Sequence, residues 1–307
     1  MTINGDPALG IAGRQTKIIA TLGPAVESPE AVADLVAAGM DVARLNFSHG
    51  DHDSHRRFVE WVRAAAEDQR RPVAVLQDIQ GPKLRVGRFP GGSIDLKTGA
   101  EIVLVNTDDA PLGAIAIDYA YLLDDVEPGE QVLLADGLIR LEVVERLIDG
   151  LRARVLEGGI LADQKGVAFP ETNLQVPAVT EKDKEDLAFG RQIGVDYVAA
   201  SFVRSAADIA EVASRVDDGV PVIAKIELAA ALSNLDGILE AAQGALVARG
   251  DLGRGVSRHV LGDRKRSPRG SRGGLHTPER LIPDGYRTTL SGRVVLRAAS
   301  AGLSLIH

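Results

Sequence analysis

The sequence predicts an α/β fold built on parallel strands and interrupted by a small β-rich module. Three observations carry that prediction. Apolar strand runs begin near residues 17, 42, 73, 197, 221 and 245, and outside one interruption their period is about 24 to 31 residues. The interruption, from about Val86 to Thr172, holds short strands and turns. Polar and charged residues crowd the C-terminal ends of the runs, where parallel-sheet folds gather their function.

Lys17 to Leu22 is a β-branched run closed by Gly23-Pro24. Ser28-Pro29 then opens a helix as N-cap and first-turn proline, with Val32, Leu35 and Val36 as its stripe and Gly39 as its stop. Val42 to Phe47 reads as the second strand. Phe58, Trp61, Val62 and Ala65 form the next helical stripe, and Val73 to Asp78 is the third strand. Within the interruption the candidate strands are Ile102 to Val105, Gln131 to Leu134, Ile139 to Val144 and Leu151 to Val155. Gly91-Gly92, Pro128-Gly129, Asp136-Gly137 and Asp149-Gly150 punctuate them. The βα rhythm then resumes. Thr180 with Asp183 and Ser205 with Asp208 are capping-box starts, and Tyr197 to Phe202, Pro221 to Ile226 and Ala245 to Arg249 are strands. Six such units fit either a (β/α)8 barrel or an open doubly wound sheet, and a barrel needs two more.

Residues 254–307 do not read as those two units. They are rich in Arg, Gly, Ser and Pro, and only Val294 to Leu296 resembles a strand core. They hold eleven Lys or Arg against three Asp or Glu, a net of +8, while the first 253 residues carry 24 basic and 40 acidic groups, a net of −16. This abrupt change reads as a non-native or disordered basic tail. Neither nucleic acid nor membrane is expected as a partner. The chain has no cysteine, so thiolate metal sites and disulfides are excluded. With no secretory signal and no apolar span at the residues given, a cytoplasmic location is expected.

The strand ends supply the chemistry. They carry Arg44, Asn46 and Ser48 on the second strand, Asp78 on the third and Ser201 on the fourth. Lys225 and Glu227 end the fifth, and Arg249 and Asp251 the sixth. Residues two apart on a strand share a face, so Arg44 points with Asn46, and Lys225 with Glu227. Glu227 and Asp251 are hard oxygen ligands suited to Mg²⁺ or Mn²⁺. Lys225 offers a point charge for a phosphate or carboxylate, and Arg44 and Arg85 add cationic donors. The competing explanation is a set of strand-end salt bridges. His49, His52 and His55 lie three apart, across a loop and a helix start, and read as solvated or locally bonded rather than as a zinc site. Glu181 to Asp186 reads as a solvated first helical turn.

At these same positions the chain resembles the pyruvate kinase family, over about residues 16 to 253. The matching segments are TKIIATLGP from Thr16, GMDVARLNFSHG from Gly39, DIQGPKLR from Asp78 and KGV from Lys165. They continue with TEKDKEDL from Thr180, ASF from Ala200, AKIE from Ala224 and ARGDLG from Ala248. The resemblance implies a (β/α)8 TIM-type barrel, here apparently incomplete with six of eight βα units, and an inserted small β-barrel domain acting as a lid. The barrel would span residues 1–85 and 173–253, the lid 86–172 and the atypical tail 254–307. It implies phosphoryl transfer from phosphoenolpyruvate to ADP, giving pyruvate and ATP. By position Lys225 resembles the lysine that meets the transferring phosphoryl group, and Arg44 the substrate arginine. Glu227 and Asp251 match the Mg²⁺ ligands, with Gly250 and Asp251 also as substrate contacts. Asn46, Ser48 and Asp78 match the monovalent-cation site, while Asn46, His49, Arg85 and Lys165 match nucleotide contacts. Intact family members are expected to be homo-oligomers.

Two departures bear on activity. Ile79 replaces the usual potassium-site threonine, and Lys83 stands where potassium-dependent members carry Glu, so K⁺ is expected not to be required. The family's last two barrel strands, with a substrate-contacting threonine and an SGET-type segment, have no counterpart in 254–307, nor does the C-terminal regulatory domain. Little activity is therefore expected of this chain. The alternatives are another Mg²⁺-dependent barrel enzyme handling pyruvate or phosphoenolpyruvate, such as an aldolase or lyase, and an inert fragment.

Overall fold

The computed structural model describes residues 17–107, 110–135, 137–172 and 174–248, together with the backbone of 294–297 and 303–306. It begins with β1 (Lys17–Leu22), α1 (Pro29–Ala37), β2 (Val42–Asn46), α2 (His52–Asp68) and β3 (Ala74–Asp78). Ser28 caps α1 by accepting a hydrogen bond from the Ala31 amide at 3.1 Å. Asp51 caps α2, whose buried stripe is His55, Phe58, Val59, Val62 and Ala65.

The interruption holds β4 (Ser93–Leu96), β5 (Glu101–Val105), β6 (Ile115–Ala116), α3 (Leu122–Asp125), β7 (Gln131–Leu134) and β8 (Ile139–Arg146). It closes with β9 (Leu151–Glu157), β10 (Gly159–Ala162) and β11 (Val167–Ala168). These form a six-stranded sheet in the order β11-β7-β8-β9-β5-β6 and a β10-β4 pair. Buried and half-exposed residues alternate along β8. Leu104, Ile115, Leu122, Leu134, Leu141, Val155 and their neighbours make a core of their own, which draws only on residues between Leu84 and Val176. Antiparallel bridging at Arg85 and Gly166 joins the two ends of this region to each other.

The rhythm resumes with α4 (Glu181–Ile193), β12 (Tyr197–Ala200), α5 (Ala206–Ala213), β13 (Val222–Ile226), α6 (Ala229–Ser233), α7 (Leu235–Ala241) and β14 (Gly244–Val247). Thr180 and Asp183 form the expected capping box, as do Ser205 and Asp208. The strands β1-β2-β3-β12-β13-β14 are parallel neighbours, with α-helical layers packed on them. Two short strands of the 254–307 segment continue this sheet. β15 (Val294–Arg297) pairs parallel with β14, and β16 (Leu303–Ile306) pairs antiparallel with both β15 and β1, giving a closed ring of eight. Six βα units were legible in the sequence; the structure adds these two strands, the last running against the others.

The fourth strand is shorter than its sequence predicts. It ends at Ala200, and the chain turns at Ser201-Phe202, where Phe202 has φ of 55°. Gly81, itself at φ +67°, packs so closely there that a Cβ would sit 3.0 Å from the Ser201 carbonyl oxygen.

Candidate functional site

The inward face of the parallel strands begins apolar and turns polar toward the C-terminal ends. Ile19, Leu76, Ala199, Ile223, Leu246 and Ala248, with Val42 and Tyr197, fill the interior. Two residues further on, the same face carries Thr21, Arg44, Asp78, Ser201 and Lys225, followed by Asn46 and Glu227. Strand parity thus makes one apolar plug with one polar mouth above it.

Asp78 is the hub of that mouth. It is 1% exposed, and its Oδ2 accepts from Arg44 Nε at 2.7 Å and lies 2.5 Å from the second guanidinium nitrogen. Its Oδ1 lies 3.1 Å from Lys225 Nζ and accepts from Ser201 Oγ at 3.3 Å. Lys225 Nζ also reaches Glu227 Oε1 at 3.0 Å and donates to Ser201 Oγ at 2.6 Å. Glu227 Oε2 accepts from the Phe202 amide at 2.8 Å, so the turn after β12 orients this carboxylate. Arg44 donates as well to Thr21 Oγ1 at 2.9 Å.

Burial opposes the charges on Asp78 and Lys225, and their partners outweigh it. Desolvation alone would raise the Asp78 pKa, yet Lys225 and Arg44 hold it below the usual 3.8. Desolvation alone would lower that of Lys225, yet Asp78 and Glu227 hold it above 10.5. Lys225 is therefore a buried cation that stays charged at neutral pH.

The predicted residues divide into three groups. Arg44, Asp78, Ser201, Lys225 and Glu227 are brought together, and Asn46 sits beside Asp78 in the β2–β3 register. The Ser48 amide donates to Asn46 Oδ1 at 3.1 Å, and His49 follows, exposed, on the same turn. Arg85 and Lys165 form a second group at the neck of the β-rich region: Arg85 donates to the Gln164 carbonyl at 2.9 Å, and Lys165 is exposed beside it. Neither touches the Asp78 cluster. Arg249, Gly250 and Asp251 lie outside the described residues.

Ile79 is 1% exposed and packs outward with Val179, Leu187 and Val198, away from the mouth. Lys83 is half-buried on the segment that follows Gly81. Among the described residues no group of three His, Cys, Asp or Glu is arranged around a metal. Of the histidines, His49 is exposed and His55 is bonded locally, its Nε2 donating to the His49 carbonyl at 3.0 Å, whereas His52 Nε2 reaches across to α4 and meets Asp186 Oδ1 at 2.8 Å.

The reading of Glu181 to Asp186 as a solvated turn needs correcting. Asp183 is fully buried and Asp186 is 2% exposed. The signal was present in the sequence, because both aspartates fall on the helical stripe with Leu187 and Gly190. Asp183 Oδ1 accepts from the Gly81 amide at 3.1 Å, beside the mouth.

A family model described as pyruvate kinase, barrel domain, matches residues 13–265. The chain is 45% identical over 249 residues to a pyruvate kinase of Geobacillus stearothermophilus, covering 78% of this chain and 42% of the relative. It is 46% identical over 248 residues to pyruvate kinase 2 of Synechocystis, with 78% and 42% covered. A pyruvate kinase of Corynebacterium efficiens is 45% identical over 245 residues, with 78% and 52% covered. The chain spans about half the length of these curated relatives.

Proposed function

The chain belongs to the pyruvate kinase family, and from that premise we propose that its site transfers a phosphoryl group from phosphoenolpyruvate to ADP. The observation that carries the proposal is Lys225, a cation 9% exposed, kept charged between Asp78 and Glu227 and sharing Asp78 with Arg44. Two carboxylates already balance Arg44 and Lys225, so a bound divalent ion would supply the extra positive charge that a small anionic substrate needs here.

We assign the fold as a (β/α)8 TIM-type barrel, incomplete with six of eight βα units, bearing an inserted lid at 86–172. Arg44 binds the anionic groups of phosphoenolpyruvate. Lys225 Nζ neutralises charge that builds on the phosphoryl oxygens as the group leaves the enol oxygen for a terminal oxygen of ADP. The enolate left behind takes a proton from solvent at its methylene carbon and becomes pyruvate. Asn46, His49, Arg85 and Lys165 hold the nucleotide, Gly250 and Asp251 contact the substrate, and closure of the lid keeps water from the phosphoryl group.

Glu227 suits a divalent ion. Each of its oxygens has one protein partner, Lys225 or the Phe202 amide, leaving lone pairs free. An oxygen-only donor set in a chain without cysteine fits Mg²⁺ or Mn²⁺, and Asp251 would complete the pair. When bound, such an ion supplies Lewis-acid stabilisation of the enolate and carboxylate oxygens. Asn46, Ser48 and Asp78 form the monovalent-cation locus, where the Lys83 ammonium takes the place of K⁺. Arg44 and Lys225 already pair with Asp78, which supports a site that does not need K⁺.

Pyruvate formation from phosphoenolpyruvate, ADP and Mg²⁺ tests the proposal. Turnover is expected far below that of the intact relatives, and Lys225→Met should lower it by at least about a thousandfold. A Lys225→Met protein that keeps the parent rate would refute the assignment.

A further inference from the structure

Helix α4 reaches the mouth of the barrel through one side chain. Lys182 Nζ donates to the main-chain carbonyl of Phe47 at 2.8 Å and pairs with Asp186 Oδ2 at 2.5 Å. Phe47 lies between Asn46 and Ser48 on the turn that leaves β2. The second oxygen of Asp186 meets His52 Nε2, and the Asp186 carbonyl accepts from Gln77 Nε2 at 2.6 Å, so α2 and β3 fix this residue from two sides.

The turn itself is held at three main-chain atoms. The Phe47 amide donates to the Asp78 carbonyl at 2.9 Å, Lys182 takes the Phe47 carbonyl, and His55 Nε2 takes the His49 carbonyl. The His55 ring stacks on Phe47 at 4.1 Å between centroids. Its Nδ1 is buried with no partner, so the tautomer that carries the proton on Nε2 fits this environment. α4 is already packed on α2 without Lys182, through the His52–Asp186 pair, the His52–Phe189 stack and Arg56 over the Phe189 ring. Lys182 is 49% exposed and free to be hydrated, yet it bridges a buried carboxylate to a carbonyl of the turn.

We propose that Lys182, anchored by Asp186, and His55 are positioning residues for the Asn46–His49 turn. Through Lys182 on α4 and His55 on α2 the two helices set the affinity of the site for a nucleoside diphosphate. The inference rests on the assignment of Asn46 and His49 as nucleotide contacts, and it adds what holds them in place. A cation donating to a main-chain carbonyl from an anchored position makes a strong hydrogen bond. Its loss frees the turn to open locally while the strands beneath stay formed.

The test uses the full chain and its Lys182→Met, Lys182→Arg and Lys184→Met variants. Lys184 pairs with Glu181 in the first turn of α4 and touches no part of the Asn46–His49 turn. Lys182→Met should speed amide hydrogen exchange in the Phe47–Gly50 peptide about tenfold and weaken N-methylanthraniloyl-ADP binding to a similar degree, with phosphoenolpyruvate binding changed less than about twofold. Lys182→Arg should restore most of both losses, and Lys184→Met should match the parent. Unchanged exchange at Phe47–Gly50 in Lys182→Met overturns the proposal, and so does an equal effect of Lys184→Met. A loosened turn with unchanged affinity for the labelled nucleotide overturns its second half. A parent chain that binds no labelled ADP while its turn still responds to Lys182 would instead strike the nucleotide assignment and leave the brace standing.

Discussion

Replacing Asp78 by Asn removes one charge from the centre of the site with almost no change of shape. Arg44 loses its only carboxylate among the described residues, and Lys225 keeps Glu227 at 3.0 Å. Removing one partner from a buried ion pair costs about 3 to 5 kcal/mol, because the other charge is stranded in a poorly polarisable interior. The surviving Glu227 contact and the partial exposure of Arg44 favour the lower end, about 3 kcal/mol. For a chain of 307 residues that is a fall in melting temperature of roughly 4 to 6 °C. Circular dichroism melts of parent and Asp78→Asn measure it, and a fall under about 2 °C would refute the reasoning. A double-mutant cycle with Lys225→Met isolates the cause: once the cation is gone, Asp78→Asn should cost less, with a coupling of about 1 to 3 kcal/mol. The pH dependence has a fixed sign. The folded pKa of Asp78 is depressed, so its contribution is complete above 3.8 and is lost as pH falls through the folded value. That of Lys225 is raised, so its contribution is complete below 10.5 and is lost as pH rises through the folded value. The penalty of Asp78→Asn should therefore be the same at about pH 6 and about pH 9.

His55 should make the chain acid-sensitive. Burial lowers its pKa below 6.5 despite the hydrogen bond to His49, so its contribution is present above 6.5 and is lost as pH falls through the folded value. In His55→Phe, urea unfolding between about pH 7 and about pH 5 should show a shallower pH slope than in the parent. Gly190→Ala would set a Cβ 2.1 Å from Gln77 Oε1, inside the packed α4–β3 contact, and should lower stability by about 1 to 3 kcal/mol in the same urea assay. Pyruvate formation should change less than about twofold on swapping K⁺ for tetramethylammonium, whereas Lys83→Glu should make the rate respond to K⁺ by about tenfold or more.

The parallel scaffold was legible because its strands are largely buried and read as short, mostly apolar runs rich in β-branched residues, such as Lys17–Leu22 and Val222–Ile226. Helix starts were legible because their caps are local: Ser28, Thr180 and Ser205 act on amides three residues away. Some of the shortest strands escaped notice, among them Ile115–Ala116 and Val167–Ala168, because cross-strand partners far along the chain define them. β16 could not be foreseen, since its antiparallel run against β1 breaks the βα rhythm. At the site, strand parity foretold that Lys225 and Glu227 would share a face, but not that Asp78 would join Lys225 to Arg44. That junction depends on the register between β2 and β3 and on Ser201 standing at the end of β12. The brace at Lys182 was missed because Glu181 to Asp186 was read by charge alone, whereas the spacing of Asp183, Asp186 and Leu187 put two carboxylates on the buried stripe.

Calorimetric titration of phosphoenolpyruvate into the purified chain, with and without Mg²⁺, bears most directly on the site. Binding should require Mg²⁺ and should weaken at least about tenfold in both Lys225→Met, which loses a charged contact to the anion, and Glu227→Gln, which loses a charged ligand for the ion. Equal affinity in parent and variants, or binding indifferent to Mg²⁺, would contradict the placement of substrate at the Arg44–Asp78–Lys225–Glu227 mouth.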